Sequence, residues 1–170
     1  MTLPKGSEKP KDAHDLTEEG NSFCSLKRYE EAIKSFNEAL KIDPKYVNAW
    51  YSKGIILRDL TRYEEAIKSF NEALKIDPKC ADAWLDKGVA LYYDSVNNRD
   101  EALKCFDEAT RLSPGYTLAW TNLVEIFWRS GKGDDAIKRI DEAVKSATEP
   151  YKLYRIKGSI YYQRGDFPNL

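Results

Sequence analysis

The sequence contains 170 residues, of which 32% are charged and 42% hydrophobic, and its formal net charge is −1 at pH 7. This composition is typical of one soluble domain with enough apolar side chains to build a core. The near-neutral charge, without blocks of like charge, argues against nucleic acid or an anionic membrane surface as a partner, and no run approaches the ~18 apolar residues that span a bilayer.

Residues 1–12, MTLPKGSEKPKD, predict a flexible N-terminal tail, and we expect the folded domain over residues 13–170. The tail lacks the apolar segment of a secretory signal. The three cysteines, Cys24, Cys80 and Cys105, are far apart and odd in number, which favours a reducing compartment. We therefore expect a cytoplasmic location.

An internal repeat organises the rest of the chain. The eighteen letters RYEEAIKSFNEALKIDPK occur at Arg28–Lys45 and again, 34 residues later, at Arg62–Lys79. A period of this length indicates stacked pairs of helices. We expect four units and a partial fifth, over residues 13–46, 47–80, 81–116, 117–150 and 151–170.

Each unit contains two helical patterns joined by a short turn. In the second unit, Trp50, Gly54 and Leu57 share one face of a first helix, because they are four and three residues apart. The apolar residues of Tyr63–Leu74 recur with the same helical spacing and predict a second helix. Pro78 ends that helix, since proline cannot continue the backbone hydrogen bonds. The glycine allows the two helices to approach closely.

These columns resemble the tetratricopeptide repeat, or TPR: an aromatic residue, a glycine, then alanine, phenylalanine, alanine and proline. The second unit supplies them as Trp50, Gly54, Ala66, Phe70, Ala73 and Pro78. The resemblance implies an all-α fold, a right-handed α-solenoid of antiparallel helix pairs with four repeats plus one extra C-terminal helix. It also implies a concave face, lined by the first helices, that binds peptides.

Three departures from the pattern carry expectations of their own. Two extra residues in the third unit should lengthen its first helix or its turn near Tyr92–Arg99. Val124 replaces the glycine of the fourth unit and should push its helix away from its partner. The fifth unit stops at GDFPNL, so either the chain is a fragment or its last helix serves as a cap.

The sequence offers no constellation for catalysis. The only histidine is His14, and no phosphate-binding loop or metal-ligand spacing occurs. The adjacent glutamates Glu64 and Glu65 point in different directions on a helix, where they favour the positive end of its dipole. We therefore expect no enzyme activity, no catalytic residue, no cofactor and no metal site.

Residues on the first helices but outside the core columns are candidates for peptide binding. Tyr51, Ile55, Leu85 and Val89 should form an apolar stripe, which indicates an interaction surface unless adjacent helices bury it. The candidate peptide-binding residues are Asn48, Tyr51, Ile55, Arg58, Arg62, Asp82, Leu85, Asp86, Val89, Tyr92, Asn122 and Trp128.

One known type of TPR domain grips the C-terminal carboxylate of heat-shock chaperones with lysine, asparagine and arginine. The matching positions here are Thr17, Asn21, Ser52, Asp82 and Asp86, so only the asparagine agrees. The two aspartates have the wrong charge for an anionic tail. We therefore expect that chaperone tails are not ligands.

The leading functional hypothesis is a non-catalytic scaffold that binds a peptide or helix of a partner protein in its groove. The alternatives are a self-assembling structural module and the TPR segment of a larger enzyme, such as a glycosyltransferase. The last helix carries Tyr154, Ile160, Tyr161 and Phe167 with no further repeat to cover them. This patch predicts self-association, as a homodimer, unless the tail 165–170 folds back over it.

Overall fold

The computed structural model describes residues 11–95 and 98–165. This part of the chain contains nine α-helices and no strand, which confirms the predicted all-α solenoid of helix pairs. The helices are α1 (Ala13–Ser25), α2 (Tyr29–Ile42), α3 (Val47–Asp59), α4 (Tyr63–Ile76), α5 (Ala81–Asp94), α6 (Arg99–Leu112), α7 (Thr117–Arg129), α8 (Gly133–Ala143) and α9 (Pro150–Arg164).

The helices pack in the order of the chain. The first and second helix of each unit pack together, from α1 with α2 to α7 with α8, and each second helix also packs on the next first helix. The first helices α1, α3 and α5 contact one another in sequence, and α9 packs against both α7 and α8. This arrangement places the first helices along one face of the solenoid, as the repeat pattern predicts.

The turn from first to second helix uses the same backbone conformation in most units. The backbone φ angle is positive at Lys27 and Thr61, at 59° in both, and at Gly131 and Gly165, at 74° and 71°. Each of these residues lies seven positions after the glycine column of its unit. Glycine adopts this left-handed conformation without a steric penalty, whereas lysine and threonine must accept one in exchange for the tight reversal.

A contact that we call the Gly–Phe socket holds each of the first three helix pairs together. A Cβ atom added to the glycine would lie 2.4 to 2.7 Å from the phenylalanine ring of the second helix, so only glycine fits. All three phenylalanine side chains are fully buried. The sockets are Gly20–Phe36, Gly54–Phe70 and Gly88–Phe106.

The fourth unit replaces both members of this contact. Val124 occupies the glycine position and Ile140 the phenylalanine position, and both are completely buried in one core cluster. The contact between α7 and α8 is less extensive than that of the three earlier helix pairs, in agreement with the expectation that Val124 pushes its helix away from its partner.

The two extra residues of the third unit lie where the sequence predicts. Helix α5 has 14 residues, one more than α3, and the connection to α6 has four residues where α3 and α4 are joined by three. The insertion therefore lengthens both the first helix and its turn. Helix α6 still begins three residues before the first alanine of its column, as α2 and α4 do.

Tryptophan side chains join each unit to the one before it. The indole N–H donates a hydrogen bond to the backbone carbonyl of the proline that follows the preceding second helix. The bonds, 2.9 to 3.0 Å long, are Trp50–Pro44, Trp84–Pro78 and Trp120–Pro114.

Candidate functional site

A polar network joins α3 to α5 on the concave face. The Tyr51 hydroxyl donates a hydrogen bond to Oδ2 of Asp86 at 2.9 Å, and the Arg58 guanidinium pairs with Oδ1 of the same carboxylate. Burial raises the pKa of Asp86 and outweighs the opposing effect of Arg58. Burial and the nearby Asp86 carboxylate raise the pKa of the Tyr51 hydroxyl, which keeps its proton as the donor. These three predicted site residues are therefore engaged with one another.

A second bond extends the network towards α7. The hydroxyl of Tyr116, just before α7, donates to Oδ1 of Asp82 at 2.6 Å, and burial raises the pKa of this tyrosine. Asp82 and Asp86 are one turn apart on α5. Asp86 thus holds a tyrosine of the preceding unit, and Asp82 holds the tyrosine that directly precedes α7.

The predicted apolar stripe is only partly accessible. Tyr51, Ile55 and Val89 are half-buried, and they contact the core clusters from the groove side. Leu85 is only 2% exposed and belongs to the core. Leu85 cannot contact a ligand at the surface, because the adjacent helices bury it. Burial by adjacent helices was the alternative that the sequence analysis left open for this stripe.

A depression lies between α5, α6 and α7 on this face. It has a volume of about 290 Å³ and contains three of the predicted residues, Val89, Tyr92 and Asn122. Phe106 and Ile126 supply further apolar lining. A pocket of this size and composition suits one apolar or aromatic side chain of a ligand.

The rim of this pocket is charged. Arg129 forms an ion pair with Glu125, in which Nη2 of Arg129 lies 2.7 Å from a carboxylate oxygen. The contacts of Arg129 with Glu125 and with Tyr92 raise the pKa of its guanidinium. Arg99 is half-buried and has no hydrogen bond or ion pair within residues 11–95 and 98–165. A guanidinium in this state is available to an acidic group of a ligand.

A second depression of about 350 Å³ lies on the other side of α7. The predicted residue Trp128 lines it together with Ile156 and Ser159 of α9. Glu125 and Arg129 border both depressions. The two depressions therefore lie side by side, one on each side of α7, and we call the two together the groove across α7.

Two predicted residues lie away from this groove. Arg62 directly precedes α4 and forms ion pairs with Glu65 and with Glu30 of α2, so it belongs to the surface of the second helices. Asn48 is exposed at the start of α3. The sequence reasoning missed Arg99, because it considered only first helices.

The C-terminal helix matches its prediction in part. Tyr154 is 56% exposed and Tyr161 is half-buried, but Ile160 is 1% exposed and packs in the core with Leu153. Ile160 therefore cannot belong to an exposed patch, because it faces α7 and α8. Phe167 lies outside the described residues.

The described residues do not form a recognisable catalytic or metal-binding group. Nδ1 of His14 lies 3.0 Å from the Tyr46 hydroxyl, and burial raises the pKa of all three thiols, that of Cys105 to about 11. Thiols with raised pKa values are poor nucleophiles at neutral pH. Across residues 11–95 and 98–165, no group of three or more ionisable ligands could hold a metal ion, and no helix could cross a membrane.

Family models match almost the whole helical region. Models described as "Tetratricopeptide repeat" match residues 47–80, 81–116 and 121–169, and one described as "TPR repeat" matches residues 20–60. No curated protein sequence gives a significant match.

Solved structures of the protein MamA are similar in fold. One, titled "Crystal structure of MamA protein", has a TM-score of 0.78 and 21% identity, over 91% of this chain and 83% of that one. Another, "MamA 41-end from Desulfovibrio magneticus RS-1", has a TM-score of 0.71 and 22% identity, over 79% and 75% of the two chains. At such identities the likeness concerns the fold alone.

Proposed function

This chain belongs to the tetratricopeptide repeat family, and we propose that it is a non-catalytic scaffold that binds a segment of a partner protein in the groove across α7. The repeats support a role in protein interaction. The observation that carries the proposal is the pocket between α5, α6 and α7, with its apolar floor and charged rim. The chemistry of the pocket defines what the partner segment must contain.

The pocket favours an apolar or aromatic side chain with an acidic group beside it. Val89, Phe106 and Ile126 would surround the apolar part, since they line the pocket. Arg99 would pair with the acidic group, and the amide of Asn122 would bond to the ligand backbone. The neighbouring depression beside Trp128 would take a second side chain of the same segment.

The proposal also includes what the sequence analysis expects about the class of partner and the location. The partner is a protein or peptide, rather than nucleic acid, a membrane or a chaperone tail. The location is the cytoplasm, which the odd number of cysteines supports. A TPR segment of a larger enzyme would use the same groove.

A selection from a phage-displayed library of random peptides, with the chain immobilised, would test the groove. The recovered peptides should lose roughly tenfold or more in affinity for Tyr92→Ala and Arg99→Ala chains, measured by fluorescence anisotropy. Lys34→Ala changes an exposed residue of the outer helix α2 and is the matched control. Peptides that lose affinity for the Lys34 variant and keep it for the other two would contradict the groove.

Self-association through α9 is the second prediction from the sequence. The exposure of Tyr151 and Tyr154 is compatible with a homodimer.

A further inference from the structure

The pocket between α5, α6 and α7 lies where neighbouring first helices are less closely packed. Helices α3 and α5 contact each other directly, whereas α5 and α7 do so less. The hydrogen bonds of Tyr51 and Arg58 to the carboxylate of Asp86 tie α3 to α5. The pocket lies at the equivalent place one unit later, because Tyr92 and Asn122 stand in the columns of Arg58 and Asp86. An uncharged amide therefore replaces the bridging carboxylate at this junction.

Two arginines of the pocket occupy positions that face each other in the preceding unit. There the rings of Tyr63, the first residue of α4, and Tyr93, in the last turn of α5, stack with their centroids 6.1 Å apart. Arg99 and Arg129 stand at the same positions 36 residues later, and both line the pocket. Two stacked rings attract each other, but two guanidiniums repel each other. The replacement favours an anion between the two arginines.

The described residues match only one of these two positive charges. Arg129 forms its ion pair with Glu125, whereas residues 11–95 and 98–165 supply neither a hydrogen bond nor an ion pair to the half-buried Arg99. Two arginines and one glutamate line the pocket, so its rim carries one net positive charge. A single carboxylate from a ligand would neutralise this charge and accept hydrogen bonds from a guanidinium.

Asn122 offers an acceptor for the ligand backbone beside this charge. Its Nδ2 atom donates a hydrogen bond to the Leu118 carbonyl at 2.8 Å, which leaves the side-chain oxygen as the group that can accept one. A peptide N–H is a donor of the required kind. Phe106 and Ile126, both buried, supply apolar surface to the same pocket. The pocket therefore combines an unmatched cation, an acceptor for a backbone N–H and an apolar floor.

We propose, on the basis of the groove proposed above, that an aspartate or glutamate side chain of the partner segment is held between Arg99 and Arg129, in what we call the two-arginine site. Arg99 belongs to α6 of the third unit and Arg129 to α7 of the fourth. The carboxylate of the ligand would join these two units from outside, as Asp86 joins the second and third units from within. The two arginines together select an acidic ligand over a neutral one.

Two capped dipeptides, N-acetyl-Phe-Asp-amide and N-acetyl-Phe-Asn-amide, are the probes, because they differ only in the charge of one side chain. NMR titration of the isotope-labelled full chain gives the dissociation constant of each. The aspartate probe should bind roughly fivefold or more tightly than the asparagine probe. Arg99→Gln and Arg129→Gln should each remove most of this preference. Lys104→Gln, which removes an exposed charge of the same helix α6, is the matched control and should retain it.

The groove and the two-arginine site would fail in different ways. Tyr92→Ala should weaken both probes alike, and the groove itself is contradicted if neither probe binds the wild-type chain or if this variant weakens neither. Equal binding of the two probes by the wild-type chain, or a preference that survives in both arginine variants, would overturn the two-arginine site and leave the groove.

Two further probes test other sources of the anion. N-acetyl-Phe-phosphoserine-amide presents a phosphate, and N-acetyl-phenylalanine presents the carboxylate of a chain terminus. Neither should bind more tightly than the aspartate probe. Tighter binding of either one would overturn the assignment of the site to an acidic side chain.

Discussion

In the first three units a glycine of the first helix lies beneath a phenylalanine ring, whereas the fourth unit sets Val124 against Ile140. The earlier pairs combine the smallest residue with a large ring, whereas valine and isoleucine are both of intermediate size. The contact between α7 and α8 is accordingly less extensive than that of the earlier helix pairs. A residue that departs from its column can therefore be accompanied by a change at the position opposite.

The largest effect should come from removing a ring from a complete socket. Phe70→Ala should lower the free energy of unfolding by ~3–5 kcal/mol, because a fully buried aromatic side chain is replaced by a cavity. Tyr154→Ala, on the exposed side of α9, should cost less than ~1 kcal/mol. Urea denaturation of both variants measures the difference, and equal losses would mean that the C-terminal face is as closely packed as the second unit.

Replacement of glycine by alanine should change the stability of the chain in opposite directions in the second unit and in α9. Gly54→Ala places a methyl group 2.6 Å from the Phe70 ring and should destabilise the chain by ~1–3 kcal/mol. Gly158→Ala should stabilise it by up to ~1 kcal/mol, because a Cβ atom there meets nothing within 4 Å among the described residues and alanine has the higher helix propensity. The denaturation midpoints of the two variants measure both effects. A loss of stability in the Gly158→Ala variant would show that other residues already pack against α9 at this position.

A double-mutant cycle tests whether the fourth unit compensates as a pair. Ile140→Phe should cost ~1–3 kcal/mol, because the ring meets the methyl groups of Val124. The further change Val124→Gly should restore a socket and recover part of that loss, with a coupling energy of ~1 kcal/mol or more. Additive effects would mean that these two positions do not contact each other as the earlier pairs do.

The smallest effect concerns pH and the polar network between α3 and α5. Burial raises the folded-state pKa of Asp86 above its ordinary value of 3.8, so the folded chain binds this proton more tightly than the unfolded chain does. The stabilisation is complete below that value and is lost as the pH rises through the raised pKa. Asp86→Asn should therefore flatten the fall in stability above about pH 4.

The hydrogen bond from Tyr51 opposes this rise in pKa. Tyr51→Phe should extend the same fall to higher pH, because the carboxylate loses a donor and its pKa rises further. Denaturation at a series of pH values checks both variants, and identical slopes in all three chains would contradict the assignment to Asp86.

The fold follows from the sequence because each unit repeats a complete set of packing columns, and the identical segments form α2 and α4 with equivalent boundaries. The residues of the candidate site could be predicted less well from the sequence than the fold could. A column shows that Leu85 lies on a first helix, but only the packing of α5 with the following helices decides that it is buried. Arg99 lines the pocket from the first residue of a second helix, a position that the sequence comparison had not considered as part of the site.

The tryptophan N–H bonds to proline carbonyls also bear on the mechanics of the chain. Each bond fastens a first helix to the end of the preceding unit, and the series stops at α9, where Tyr154 has no indole N–H. Near this junction, Thr148 donates instead to the Gly115 carbonyl. Under a pulling force, or in slow hydrogen exchange, the solenoid should therefore open from its C-terminal end, and α9 should detach while the earlier units stay linked.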